Sequence, residues 1–378
     1  MKIGVDGSSL AFPRTGVGNY IEALLTPLTR QEQEVQFLVY SQRHLQLESR
    51  SNLLLRVDEA PIAGPVWRNL RLPRLLQRDH VDVFWSGTGL LPAVGLRNLP
   101  TVLTVLDLVY LFAAETMPWQ GRLSRSVFQP RSVRMATRVV AISRATALDM
   151  ERVCGRAADA IIPPVVSQAF KIPTNAEKDR VRVKYQLYEP YLFTVGTLEP
   201  RKNLVSLLIA YDLLRGRGIR PPMLIIAGGK GWKDKQLSAR LKAATESGMV
   251  RCLGFLDEDD LAGLYGAALA FIFPSFYEGF GMPLVEAQLC GTPVLYSDRS
   301  AMREAAGDFG VIFEPTPEGI ASVLAQIASG NCPLTCRLPQ VIPNSAEDSA
   351  RRMWDVIMSA SSLGAKIPGI PINYRTIP

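Results

Sequence analysis

Two glutamates eight residues apart mark the segment best suited to chemistry. Glu278 and Glu286 lie within FPSFYEGFGMPLVEAQLCG, residues 273–291. The apolar run before it, LAFIF, reads as a strand ending at Pro274, and a loop with Glu278, Gly279 and Gly281 follows. A helix then opens with Pro283 in its first turn and stops at Gly291. Glycines let backbone approach a ligand closely, and a helix N-terminus favours an anion through its free N–H groups. Both carboxylates can face one pocket. They repel phosphate, so they suit partners that donate hydrogen bonds, such as sugar and ribose hydroxyls.

A second segment, VGTLEPRKNLVSLLIAY, supplies the opposite charge. Its strand leads into a loop with Arg201 and Lys202, and Asn203 is placed to cap the apolar helix from Leu204. Two cations beside a helix N-terminus suit a diphosphate. An Arg-Lys pair alone is common; beside the paired glutamates it acquires a partner. Nearer the start, FPRTGVGNY places Gly16 and Gly18 ahead of a helix expected from about Asn19, where the loop can approach a phosphate or sugar. No glycine stands at position 21, so the dinucleotide fingerprint is incomplete. Asp107 closes the strand TVLTVL, where it can serve as a turn cap or as a ligand.

These segments need a frame, and the chain supplies it by alternation. KIGVDGS, VQFLVYS, VDVFWSG, TVLTVLDLVYL and RVVAIS read as strands in the first half. YLFTVGT, PMLIIAG, VRCLGFL, LAFIFPS, TPVLYS and GVIFEP do so in the second, with helical patterns between. Apolar strands alternating with helices indicate α/β domains with parallel sheets covered on both faces. Two such units in tandem predict two Rossmann-like domains facing each other across a cleft. We place the first domain at 1–170, a strandless linker at 171–190, the second domain at 191–345, and a helix and tail that return towards the first domain at 346–378.

At 378 residues the length suits two cores. Apolar residues at 47% and charged residues at 20% are ordinary globular chemistry, and no apolar run reaches membrane-spanning length. Five scattered cysteines and two distant histidines give no disulfide framework and no zinc site. The acidic run Asp257 to Asp260 precedes a helix, where acids act as caps rather than metal ligands. A reduced, cytoplasmic protein is expected. The net charge of +7 is uneven: the first 185 residues carry +8 and the rest −1. Six arginines and no acid lie between Thr116 and Leu148, and Arg68, Arg71, Arg74 and Arg78 form a second group. Both can be solvated faces or a basic surface for anionic lipid or an anionic acceptor. No stacking pattern accompanies the charge, so nucleic acid is not expected.

The chain resembles the large retaining glycosyltransferase family 4. The similarity runs through the GVGNY loop, AISRATALDM, VGTLEPRKNL, IIAGGKGW, GFLDEDDLAGLY and the Glu-x7-Glu pair. The resemblance implies a GT-B fold and a nucleotide-diphosphate sugar donor, GDP- or UDP-linked. It implies that Glu278 lies beside the donor sugar, Glu286 on the ribose, and Arg201 and Lys202 on the diphosphate. The backbone amides of Phe280, Gly281 and Met282 would meet the sugar hydroxyls, Leu284 would belong to the same substrate site, and Gly254, Phe255 and Leu256 would lie beside the base. Two positions depart from the pattern: Leu106 precedes Asp107 where many relatives have histidine, and Thr197 replaces an arginine. Diphosphate binding then rests on Arg201 and Lys202, with a contact from Thr197. The expected activity is retaining, metal-independent hexosyl transfer, mannose favoured, to a glycan or lipid-linked acceptor. Glu278, Lys202, Arg201 and Asp107 are the expected catalytic group. An epimerase or phosphorylase of the same fold, or a catalytically weak binding subunit, remain alternatives.

Overall fold

A computed structural model describes the chain except residues 12–15, 97, 114–118, 230–234, 337, 339–344 and 365–378. Two parallel sheets form from consecutive halves of the sequence. The first contains β1 (Lys2–Asp6), β2 (Gln36–Ser41), β3 (Leu53–Val57), β4 (Val83–Ser86), β5 (Thr101–Val105), β6 (Arg138–Ala141) and β7 (Ala160–Ile161), in the order β3-β2-β1-β4-β5-β6-β7. The second contains β8 (Tyr191–Val195), β9 (Met223–Ala227), β10 (Val250–Gly254), β11 (Ala270–Phe273), β12 (Val294–Ser297) and β13 (Val311–Phe313), in the order β10-β9-β8-β11-β12-β13.

Each sheet therefore reverses direction once, between β1 and β4 and between β8 and β11. At such a switch point the loops leaving neighbouring strands diverge and open a crevice at their carboxyl ends. The strands there are buried on both faces: VFWS, TVLTV and AFIF show no exposed position. That burial is why they read as unbroken apolar runs. The helix Leu204–Gly216 turns Leu204, Leu207, Leu208, Tyr211 and Leu214 inward at three- and four-residue spacing. The last described helix, Ala346–Gly364, lies against the helix Gly16–Gln31 and against β4, β5 and β6. Met353 and Ile357 are buried there, whereas Met358 is exposed. The tail after Gly364 lies outside the described residues.

Several local expectations are corrected. β3 and β7 join the first sheet although their short sequences were not read as strands. The helix expected from Asn19 begins at Gly16. The linker contains the helix Asn175–Tyr185, opened by a capping box in which Thr174 and Glu177 satisfy each other's backbone N–H. The arginines at 68–78 do not share one basic face. They straddle two short helices, Gly64–Leu70 and Leu72–Arg78, and three face acids: Arg68 with Asp6, Arg71 with Asp58 and Arg78 with Asp79. Asp6 and Asp58 come from elsewhere in the sequence, so charge counting along the helices could not find them, whereas Asp79 directly follows Arg78.

Candidate active site

The loop leaving β8 and the loop leaving β11 meet at the second switch point. A short turn, Pro200–Lys202, carries the two cations, and the β11 loop carries Glu278. Lys202 Nζ donates to Glu278 Oε1 at 2.8 Å, and Arg201 Nη1 lies 2.5 Å from Glu278 Oε2. Arg201 also donates to the Tyr277 carbonyl at 3.0 Å. Burial would raise the Glu278 carboxyl, but the Arg201 and Lys202 charges outweigh it and hold it down at about 2. Glu278 is thus an anion throughout the working pH range. Burial, with Arg201 adding to it, pushes Lys202 below its ordinary value, against the pull of Glu278. Arg201 moves the other way: burial opposes its charge, but Glu278 and Glu199 hold it more firmly protonated.

Backbone geometry brings the three charges together. Gly196, at φ +145°, lets Lys202 pass; a Cβ there would sit 2.9 Å from Lys202 Cε. Asn203 does not cap its helix as expected. It adopts a left-handed φ of 56°, and its buried amide donates to the Pro274 and Pro315 carbonyls. Its side chain therefore ties the β8 loop to the end of β11, which matters more to the site than one helical N–H. Gly281, at φ +106°, precedes the helix Met282–Leu289 and turns the chain sharply into it.

Glu286 sits in that helix, half-buried, and its Oε2 accepts from Tyr265 Oη at 3.0 Å. Burial raises its carboxyl to about 7, the Tyr265 bond opposing and nearby Glu258 adding to the rise. The two glutamates of the motif are therefore unlike. One is a permanently charged partner of cations; the other titrates near neutrality.

Comparison with known proteins gives the family and the fold. Residues 14–169 match the family described as glycosyltransferase family 4, and residues 175–339 match glycosyl transferases group 1. The O-antigen chain mannosyltransferase B of Escherichia coli is 30% identical over 337 residues, covering 83% of this chain and 87% of that one. The chain belongs to the family 4 glycosyltransferases. Among solved structures, WaaG, a glycosyltransferase involved in lipopolysaccharide biosynthesis, superposes with a TM-score of 0.67 at 18% identity, covering 97% of this chain and 100% of that chain. HepE of Anabaena in complex with UDP and glucose does so at 0.65 and 18%, covering 97% and 98%. Both carry the GT-B fold of two Rossmann-like domains seen here.

The other residues expected from the sequence of this glycosyltransferase are placed unevenly. Thr197 is exposed just beyond β8, in the loop that also carries Arg201. Gly254, at φ +76°, ends β10; Phe255 after it is exposed, and Leu256 is half-buried. Met282 is half-buried at the helix start. The side chains of Phe280 and Leu284 lie in the core, which leaves the expected Phe280 contact to its backbone amide. The Leu284 N–H is also taken by the Gly281 carbonyl at 3.0 Å. Across the cleft, Gly16 opens its helix with free space around it, while Gly18 is already buried inside the first turn. Asp107 takes the turn role. Its Oδ1 accepts from the Val109 N–H at 3.3 Å and lies 3.8 Å from Arg125, and its side chain stays partly open. The acidic run at 257–260 is a cap, as expected: Asp257 accepts from the Asp260 N–H.

Sequence reasoning missed the contacts between the domains. Tyr277 Oη donates to Asp149 Oδ2 at 2.9 Å and accepts from the Leu108 N–H at 3.3 Å. Ser143 and Thr146 donate to the Gly279 carbonyl, and Glu304 accepts from the Arg144 and Ala145 N–H groups. Only Ser143, an N-cap ahead of the helix Arg144–Cys154, carried a local signal, and that signal pointed to the helix alone.

Proposed function

We propose that this enzyme transfers a hexose, with mannose favoured, from a GDP- or UDP-linked donor to a glycan or lipid-linked glycan, with retention at the anomeric carbon and without a metal. The observation that carries this reading is the buried Glu278 paired with the half-buried Arg201 and Lys202 at the switch point. As the bond to the diphosphate breaks, charge grows on the leaving oxygen. Arg201 and Lys202 are fixed beside the crevice to stabilise it, supplying the positive charge that a metal would otherwise supply. Until a donor arrives, Glu278 pairs with both cations and offsets one of their two charges. With the diphosphate bound, its carboxylate is free to orient the sugar and stabilise the oxocarbenium-like centre. Glu286, whose carboxyl accepts from Tyr265 and feels the charge of Glu258, is suited to the ribose hydroxyls. The mannosyltransferase relative supports the sugar, and the UDP and glucose bound by HepE support a nucleotide-sugar donor.

Thermal-shift measurements with GDP, UDP, ADP and dTDP test the nucleotide, since a ligand at about 100 times its Kd adds roughly 2.7 kcal/mol. Proton NMR of the glycoside formed from an α-linked donor then tests retention. An inverted product, or no shift with any of the four nucleotides, would overturn the proposal. One observation favours a second reading, a catalytically weak binding subunit: Leu106 and Thr197 stand where many relatives carry histidine and arginine. Such a subunit binds a nucleotide yet releases none from a donor, with or without acceptors. An epimerase interconverts the nucleotide sugar without releasing nucleotide, and a phosphorylase needs phosphate.

We also propose that the enzyme works at the inner face of the membrane as a peripheral protein. Among the described residues no helix is long and apolar enough to cross a membrane. The helix Trp119–Met135 exposes Leu123, Val127 and Phe128 beside Arg122, Arg131 and Arg134. Arg125, expected in the same surface, instead approaches Asp107, and the side chain of Trp119 lies outside the described residues.

A further inference from the structure

The segment carrying Glu278 is gripped on both sides by one helix of the opposite domain. Ser143, Thr146 and Asp149 stand three residues apart, so they lie along one face of the helix Arg144–Cys154 and its cap. Ser143 Oγ and Thr146 Oγ1 both donate to the Gly279 carbonyl, at 2.7 and 3.0 Å. One turn further on, Asp149 accepts from Tyr277. Residues 277 and 279 are thus fixed by the first domain, and Glu278 stands between them.

The surrounding contacts make this grip specific. The Tyr277 ring is buried against Val109 and Ala113 and stacks on Phe112, with centroids 5.4 Å apart and planes 8° apart. Gly279 passes so close to the first domain that a Cβ would sit 1.9 Å from the Leu106 carbonyl oxygen. Glu304 caps the same helix from the second domain, at 2.9 Å from the Arg144 N–H and 3.1 Å from the Ala145 N–H. Because Arg201 donates to the Tyr277 carbonyl, the cation site is tied to this anchor as well.

We propose that Ser143, Thr146 and Asp149 are positioning residues that couple closure of the two domains to the placement of Glu278. When the cleft is open, Tyr277 and Gly279 lose their anchors and the Glu278 loop is free to shift. When it closes, the helix sets both flanking residues and with them the carboxylate. The inference rests on the donor-site role proposed for Glu278. The chemical step needs the clamp; binding of the nucleotide in the second domain does not.

The test combines two substitutions that keep shape, Tyr277→Phe and Thr146→Val, and reads hydrolysis of GDP-mannose and UDP-glucose, the Kd of GDP and UDP, and the radius of gyration by small-angle X-ray scattering. A displacement of about 1 Å at a reacting group can cost 10²-fold. We expect the double variant to hydrolyse its donor on the order of 10²-fold more slowly, to keep its nucleotide Kd within about twofold, and to scatter as a more open particle. Asp149→Asn retains an acceptor for Tyr277 and should keep most of the rate, whereas Asp149→Ala should not. An unchanged rate and radius would overturn the clamp, and so would a Kd that weakens in step with the rate. If the wild type binds neither nucleotide, the donor-site reading fails. The clamp then stands or falls on scattering alone, an unchanged radius in the double variant being the result that sinks it.

Discussion

The Lys202 ammonium is 2.8 Å from Glu278 and 4.7 Å from the centre of the Phe273 ring, so one cation is held between an anion and an aromatic face. The arrangement fixes Lys202 at the carboxyl end of β11 before any ligand arrives. Lys202→Ala should therefore reduce donor affinity and turnover together, with kcat/KM falling on the order of 10²- to 10³-fold. Steady-state kinetics with the preferred donor check this. Near-normal kinetics would move the diphosphate site elsewhere.

The two motif glutamates should fail differently. Glu286→Ala removes an acceptor for ribose and should weaken binding of the free nucleotide. Glu278→Ala should lower turnover far more than it weakens that binding. Titration calorimetry with the nucleotide, beside turnover on the full donor, separates the two, and matching profiles would contradict the division of roles.

Glu286 also predicts a pH effect. Its carboxyl is raised to about 7, so it is neutral below that value and charged above it. Ribose hydroxyls bond more strongly to the charged form. Nucleotide affinity should accordingly rise from pH 6 to pH 8, and Glu286→Gln should flatten the change. Glu278, held at about 2, contributes nothing to it over that range. An equal slope in wild type and variant would assign the titration to another group.

Asn203→Ala tests the tie between the two loops. The substitution strips donors from two buried carbonyls and places alanine at a left-handed φ of 56°. Unfolding in urea should show a loss of about 3 kcal/mol. Asn203→Gly, which relieves the backbone but not the lost bonds, should recover about 1 kcal/mol of that. Equal stability of all three proteins would mean the tie is unimportant.

Membrane attachment is checked by sedimentation with anionic and neutral vesicles across a salt series. Each cation near an anionic leaflet adds on the order of 1 kcal/mol, and salt screens it. Arg122, Arg131 and Arg134 should thus hold the protein to anionic vesicles at low salt and release it at high salt. Equal binding to both vesicle types would leave them a solvated face.

Much of this was readable along the chain because its cause is local. Strands buried on both faces must be apolar throughout, so β8, β9, β11 and β12 of the second sheet stood out, while the partly exposed β3 and the two-residue β7 at the edges of the first did not. Glycine and proline spacing marked the turn at Gly281 and the helix after it. The Glu-x7-Glu spacing and the Arg-Lys pair pointed to hydroxyl and diphosphate chemistry because charge and hydrogen-bonding capacity belong to residue type. The capping box at Thr174 and Glu177 is equally local and legible in the linker segment.

What the sequence alone determined, then, is which groups exist and which elements carry them. Tertiary structure decided their partners and their charge. Arg201 and Lys202 reach Glu278 across 77 and 76 positions, and Tyr277 reaches Asp149 across 128. Such pairs leave no periodic trace, because the strand order that joins them is set by packing of whole sheets. The same holds for the contrast between Glu278 near 2 and Glu286 near 7: both begin as ordinary carboxylates, and only burial with cations beside one and a tyrosine beside the other drives them apart.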